Sequence, residues 1–462
     1  MLPLTLREVA DAIGAARAPD GRVTGEVRID SREVRPGDLF VALPGDHRDG
    51  HDFAGSALQA GAVAAVVERP TSVRDLLVPN ALVAVQDLAR RVFAVDPPLT
   101  FGITGSSGKT STKDLLAQLL AGFGETLAPP GSYNNELGLP LTATGRTPTT
   151  RYAALEYSAR GVGHIRFLCS VVQPDVAIVL NVGSAHLGEF GSVEAIAQAK
   201  GELVESAARL AVLNADDLRV ASMASRSGVE VTTFGIDGRA DYRAESLDLD
   251  ADGRPSFRLA TPAGAAGVRM HGRGEHQAAN AVAAAAAVLA TGVTEDVDRV
   301  AYLLSRARPA SRWRMEVTER PDGVTVVNDA YNANPDSMRA ALKTLAVMSR
   351  GKQRRTWAVL GPMGELGEEA RTAHMDLGRF VVRLDVSRLV VVGSDAGGIH
   401  AGAVLEGSWG EESVHVDDLD AAVALLRAEL RPGDVVLVKA SRSAGLERVA
   451  AALLSTPGPD AP

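Results

Sequence analysis

The sequence predicts an α/β protein of three units, each built on a mainly parallel sheet. Three observations carry that expectation. The chain has 462 residues, too many for one ordinary domain at about 150 residues each. Short apolar runs of strand length alternate with helical stretches from end to end, the pattern of parallel sheets covered by helices. Asp96-Pro97-Pro98 and Arg308-Pro309 interrupt the alternation, because proline continues neither a helix interior nor a central strand. The expected units are residues 1–97, 98–308 and 309–462.

In the first unit, residues 6–13 and 54–60 read as helices, and 27–29, 38–43 and 62–67 as extended segments. The second opens with a strand at 99–104, then a glycine loop, then a helix from Lys109; further strands fall at 153–156, 176–181 and 211–214. Residues 278–293 are mostly alanine, too short and too weakly hydrophobic to span a bilayer, so they read as a buried helix. Strands at 324–328, 356–360, 389–392 and 435–439, with helices such as 368–382 and 419–430, give the third unit a Rossmann-like alternation. The tail from Ser455 is expected to lie outside the folded units.

Composition narrows the function. With 46% hydrophobic and 23% charged residues the chain is ordinary globular protein. A net charge of −9 argues against a general nucleic-acid partner. The single cysteine, Cys169, permits no internal disulfide or Cys-based metal site, which fits a reducing cytoplasm. No basic segment followed by an apolar core opens the sequence, so neither a secretory signal nor a membrane span is expected. Of 48 basic residues only six are lysines, at 109, 113, 200, 343, 352 and 439. A chain that otherwise uses arginine needs a compact or nucleophilic amine at some of these places.

The strongest local motif is Thr104-Gly105-Ser106-Ser107-Gly108-Lys109-Thr110-Ser111 between a strand and a helix. Its glycines let backbone N–H groups face a phosphate at a helix N-terminus. Lys109 then reaches the β/γ-phosphates of ATP and Thr110 offers a hydroxyl to Mg²⁺. Ile103 stands where the common pattern has its first glycine. A plain glycine turn capping a helix is the alternative, disfavoured because Gly-Lys-Thr follows a strand at the start of a unit. Glu156 and His186 end or follow strands, where ligands of open α/β sheets bind. Each alone could be a strand-end cap; beside a phosphate loop, both suit a Mg²⁺ sphere.

These residues resemble the Mur ligase superfamily, which joins amino acids to a UDP-muramoyl precursor of peptidoglycan. The resemblance runs through DSREVRPGDLFVALPG (30–45) and DGHDF (49–53), then TGSSGKT (104–110), YNNELGLP (133–140), NVGSAHLGEFGS (181–192), AKGEL (199–203) and GEHQAANA (274–281). It continues in WRME (313–316), NDAYNANPDSM (328–338), LGPMGELGE (360–368) and VKASRS (438–443), and these third-unit segments are most similar to members that add D-alanyl-D-alanine to UDP-N-acetylmuramoyl-tripeptide. The resemblance implies a UDP-binding first unit, a central ATPase core and a C-terminal unit that delivers the amine. It implies a cytoplasmic monomer using ATP and two Mg²⁺ ions, with an acyl phosphate as intermediate.

By the same resemblance, Lys109, Glu156, His186 and Lys200 are catalytic, with Lys200 carried as a carbamate that binds the second Mg²⁺ alongside Thr110, Glu156 and His186 as metal ligands. Residues 105–111 with Asn280, Arg314 and Asp329 hold ATP. Ser31, Arg32, His51, Asn134 and Asn135 face the UDP substrate, and Tyr331, Asn332 and Asn334 the amine substrate. Read without the resemblance, Lys200 is a helix lysine on a solvated face, and Ser31, Arg32 and His51 are turn and capping residues. Two positions depart from the family pattern: Gln277 replaces an asparagine, and Ala330 a serine. Residues 393–398, compared with the segment that grips diaminopimelate in related ligases, lack its arginine. Folate-adding ligases lack the Asp30–Arg32 type of first unit, and a nucleotide-dependent switch needs no amine-delivering unit.

Overall fold

The computed structural model describes residues 1–45, 48–72, 74–350, 353–407 and 412–455, so the expected tail lies outside the described residues beyond Ser455. Among the described residues the strands form four sheets. The first unit holds a parallel sheet in the order Val27–Arg28, Leu39–Val41, Ala64–Val67, Asp75–Leu77, and a small antiparallel pair, Leu4–Thr5 with Arg22–Val23. The helix Leu6–Ile13 begins on a reciprocal cap between Thr5 and Glu8 and ends at Gly14 in the left-handed conformation. The helix Ala81–Phe93 is not among the expected elements; it packs on Gly138–Thr144 and His164–Val171 of the next unit. Val85 and Leu88 thereby join Leu139, Ile165, Leu168 and Leu203 in one apolar core.

The central sheet is parallel through Thr126–Leu127, Tyr152–Glu156, Leu99–Thr104, Val176–Val179, Leu210–Asn214, Glu230–Gly235 and Tyr242–Leu249 in spatial order. Leu99–Thr104 has later strands on both sides, which makes its carboxyl end the topological switch point where such sheets bind ligands. An antiparallel meander, Tyr242–Leu249, Pro255–Thr261 and Gly264–Arg269, completes the edge and was not expected. Its first strand buries alternate residues at the start and then runs half exposed, with Arg243, Glu245 and Asp248 among its side chains, so no apolar run marks it. The alanine-rich helix is present as His276–Ala290. Its fully buried alanines 281 and 283–287 let it lie close against the helix Lys109–Ala121 and the strands Glu230–Gly235 and Tyr242–Leu249.

The third unit is one sheet in the order Glu316–Glu319, Thr325–Asn328, Val435–Lys439, Thr356–Leu360, Arg388–Val392, Ser413–Val416, parallel except at its first strand. Two apolar clusters, one around Leu342, Leu345 and Leu377 and one around Trp357, Leu426 and Val449, cover its two faces. The carboxyl ends of Thr325–Asn328 and Val435–Lys439 face the central unit: Asn334, seven residues on from this sheet's Val327, bonds the Ser106 carbonyl.

Candidate active site

The strand Leu99–Thr104 delivers the chain into a loop whose shape depends on two contacts. Gly108 has φ +83°, and a Cβ there would lie 2.7 Å from Asn280 Oδ1, so glycine serves both the left-handed backbone and the approach of Asn280. Asn181 braces the other side: its Oδ1 accepts from the Ser107 N–H at 2.9 Å, its Nδ2 donates to the Ser107 carbonyl at 3.2 Å, and its own carbonyl accepts from the Ser106 N–H at 3.1 Å. The loop is held from beneath. The helix Lys109–Ala121 then starts with its N–H groups facing a cavity of about 910 Å³.

Lys109 is half-buried, and its ammonium donates to the Gly105 carbonyl at 2.6 Å. Burial pushes its pKa down, Glu156 opposes that, and Arg314 adds to it. Glu156 ends its strand with no exposure. Asn134 Nδ2 donates to its Oε2 at 3.2 Å, while Oε1 is buried without a hydrogen-bond partner. Leaving a buried acceptor unpaired is costly. A hard oxygen donor facing a phosphate loop is matched to a divalent cation, so the residues present fit Mg²⁺.

His186 adopts φ +61° at the start of the short helix Leu187–Phe190. Its Nδ1 lies 2.5 Å from Glu365 Oε2 and 3.8 Å from Glu189, although neither approach has hydrogen-bond geometry. Burial chiefly lowers its pKa, with Lys109 and Lys200 adding to that and Glu365 and Glu189 opposing it. The lowering favours the neutral imidazole, the form that ligates metals. Lys200 does not line the cavity wall, but its side chain is buried behind it. Its pKa is pushed well down by burial and, secondarily, by Lys109.

The third unit closes the other wall. Arg314, Asp329, Tyr331, Asn332 and Asn334 line the cavity together with Lys109, Glu156, His186, Asn134, Asn135 and Asn280. The Arg314 guanidinium sits 4.2 Å from the Tyr331 ring centre. Asp329 is already committed: its Oδ1 accepts from the Met315 N–H at 2.9 Å and its Oδ2 lies 2.7 Å from Lys439 Nζ. Asn334 likewise spends both amide ends, accepting from the Ser337 N–H at 2.9 Å and donating to the Ser106 carbonyl at 3.3 Å. Tyr331 and Asn332 line the cavity from the same loop, with Asn332 Oδ1 accepting from the Ala333 N–H at 2.9 Å.

Besides Lys200 and Gly105, three expected residues stand away from the cavity wall. Ser31, Arg32 and His51 do not line the cavity. Arg32 folds back on Asp30, donating through Nε and Nη2. His51 is buried; its Nδ1 lies 2.5 Å from Asp49 Oδ1 and its Nε2 accepts from the Glu68 N–H at 2.8 Å. Both ring nitrogens thereby have partners within the fold. Residues 393–398 are also away from the cavity wall, so their lack of arginine does not shape it. Conversely, the site includes residues to which the sequence assigned no role: Ser132, Asn181, Glu365 and Lys439. Lys439 carried two signals, the rarity of lysine and its place in the family-like segment 438–443; Glu365 and Asn181 also lie in such segments, and Ser132 carried none.

Comparison with known proteins agrees with this architecture. Models of the Mur ligase family, catalytic domain, the Mur ligase middle domain, and the Mur ligase, glutamate ligase domain match residues 24–94, 103–288 and 313–442. The UDP-N-acetylmuramoyl-tripeptide--D-alanyl-D-alanine ligase of Mycobacterium tuberculosis is 48% identical, with 98% of each chain covered. The crystal structure of MurF from Acinetobacter baumannii superposes with a TM-score of 0.87 at 30% identity, over 98% of this chain and 99% of that one. MurF ligase from Thermotoga maritima in complex with ADP gives a TM-score of 0.79 at 31% identity, over 93% and 97%. Three matched segments that leave out little of the fold, and full-length likeness in sequence and structure, lead to one conclusion: the chain belongs to the Mur ligase family.

Proposed function

We propose that the protein joins D-alanyl-D-alanine to the terminal carboxylate of UDP-N-acetylmuramoyl-tripeptide at the expense of ATP. The observation that carries this reading is the two-sided cavity: a phosphate loop with Glu156 and His186 on one wall, and the Asp329–Asn334 loop of a separate unit on the other. The full-length relatives bear that ligase name.

The chemistry follows from the electrostatics. A peptide carboxylate is a poor electrophile, and transfer of the γ-phosphoryl group converts it to an acyl phosphate with ADP as leaving group. Both reactants are anionic. Lys109 and the N-terminus of its helix lower that repulsion where charge develops. Thr110, Glu156 and His186 would hold Mg²⁺, which supplies further charge neutralisation. Lys200 would contribute as a carbamate: its neutral amine adds to CO₂ and releases a proton, giving a buried anion that suits a second Mg²⁺. Asn280 beside Gly108 and Arg314 stacked on Tyr331 would bound the nucleotide, with Asp329 fixing the Met315 backbone next to Arg314. Asn134 orients Glu156, and with Asn135 faces the sugar-peptide end. The first unit, with the Asp30–Arg32 turn, would take the UDP end. Tyr331 and Asn332 would meet the dipeptide, whose amine attacks the acyl carbon and expels phosphate. Closure of the third unit on the central one positions these partners and excludes water.

Phosphate release measured with ATP, UDP-muramoyl-tripeptide and either D-alanyl-D-alanine or meso-diaminopimelate tests the reading. Release dependent on the dipeptide is expected. Preferential use of diaminopimelate overturns the substrate assignment, and release indifferent to both amines overturns the ligase reaction for this chain.

A further inference from the structure

The central and third units meet mainly through polar contacts. Asn334 donates to the Ser106 carbonyl, Asp336 accepts from the Ser184 N–H at 3.3 Å, and the Gly188 N–H donates to the Glu365 carbonyl at 2.9 Å. Each of these reaches backbone of the central unit. Two further contacts join side chains: His186 Nδ1 lies 2.5 Å from Glu365 Oε2, and the other reaches the phosphate loop. Arg314 Nη2 donates to Ser132 Oγ at 2.8 Å, and Ser132 Oγ lies 2.8 Å from Thr110 Oγ1. This bridge runs from side chain to side chain and ends on a hydroxyl of the phosphate loop.

We propose that Ser132 is a positioning residue that couples the seating of the third unit to the orientation of the Thr110 hydroxyl. A hydroxyl has one hydrogen and two lone pairs. Thr110 presents its lone pairs to the cavity only when its hydrogen points away from it, and that hydrogen needs an acceptor. Ser132 Oγ stands at the right distance. Arg314 occupies one of its lone pairs and leaves the other for Thr110. The Arg314 end is itself fixed by the third unit: the guanidinium stacks on Tyr331, and the next residue, Met315, is bonded to Asp329, which is paired with Lys439. Arg314 Nε is buried without a partner, so the bond to Ser132 is a principal polar tether of that guanidinium. A strut of successive contacts therefore joins the third sheet to the start of the helix Lys109–Ala121. Moving the third unit away removes Arg314 from Ser132 and frees the hydroxyl pair to rotate. The consequence for nucleotide binding rests on assigning the phosphate loop to ATP and Mg²⁺.

The test uses the full-length protein and the intrinsic fluorescence of Trp313, the neighbour of Arg314, together with thermal unfolding. Mg²⁺ is titrated into wild type, S132A and S132T at saturating ADP. S132A is expected to need about three- to tenfold more Mg²⁺ for the half-maximal change, with ADP affinity in the absence of Mg²⁺ unchanged. S132T, which keeps the oxygen, is expected to stay near wild type. R314A, which breaks the strut from its other end, should give a shift that adds little to that of S132A in the double variant, and it stands in if S132A unfolds. An unchanged midpoint in S132A, equal impairment in S132T, or full additivity with R314A overturns the coupling. A wild type that shows no response to ADP and Mg²⁺ overturns the nucleotide assignment, and the proposal with it.

Discussion

Lys200 illustrates how a single residue can be misjudged from its local pattern. By sequence it sits in an amphipathic helix, where lysine ordinarily faces water. The structure buries it near the phosphate loop, with its pKa pushed well down by burial and by Lys109. A cation placed there without a purpose is a net cost. Lys200→Ala is expected to lose nearly all ligase activity, and formate or acetate to restore part of it by supplying a free carboxylate where the carbamate would stand. Equal inactivity with and without the additive would assign Lys200 a packing role instead. A second residue-scale expectation concerns alkali. Burial pushes the Cys169 thiol up to about 12 from 9.0, and burial likewise raises Tyr157, whose hydroxyl donates to the Val172 carbonyl at 2.7 Å. The folded state keeps protons that the unfolded chain sheds above pH 9, so stability is full below that pH and falls as pH rises from 9 toward 12. Urea midpoints measured across this range should decline, while Cys169 in the native protein at pH 8 should resist iodoacetamide. Rapid native alkylation would contradict its burial.

At the scale of elements, legibility followed how much of an element's pattern is local. Leu99–Thr104, Thr356–Leu360 and Val435–Lys439 are continuous buried runs, and their expected boundaries match. The expected strand at 38–43 shortens to Leu39–Val41, the residues paired in register with the neighbouring strands. The meander at 242–269 escaped because its outer strands are half exposed, the first interrupted by charges and the last carrying two glycines. The site divides the same way. Lys109, Glu156 and His186 were legible since a strand end or a glycine loop marks each. Ser132 and Glu365 act through partners 182 residues away in the first case and across the unit boundary in the second, and no local pattern encodes such a meeting. Gly108 gives the element-scale prediction. An alanine there would hold a left-handed backbone at a cost of about 1–2 kcal/mol, and its Cβ would press on Asn280 Oδ1 at 2.7 Å. Gly108→Ala should therefore fold with reduced stability and lose most ADP affinity, read by calorimetric titration. Wild-type affinity in the folded variant would show that the loop does not need this turn.

Across the whole molecule, the two unit boundaries differ in kind, and the difference predicts which one moves. The first and central units share one apolar core in which Val85, Leu88 and Val92 pack with Leu139, Ile165, Leu168 and Cys169. Separating them would expose buried hydrocarbon at about 25 cal/mol per Å². The central and third units meet instead through hydrogen bonds and charge, including the Arg314–Ser132 and His186–Glu365 contacts and the bond from the Ser311 N–H to Asp114 Oδ2 at 3.0 Å. Water replaces such contacts at little net cost, since each is worth only about 0.5–1.5 kcal/mol. The third unit is thus expected to swing on the segment around Arg308–Ser311 while the first two stay together, which is what a site split between walls requires for substrate entry. Limited proteolysis of the ligand-free protein should cut first near residues 307–313 and yield a fragment holding the first two units. ATP analogue with Mg²⁺ should slow that cut. First cleavage at the Asp96–Pro98 break, with the 307–313 segment intact, would reverse the assignment and make the first unit the mobile one.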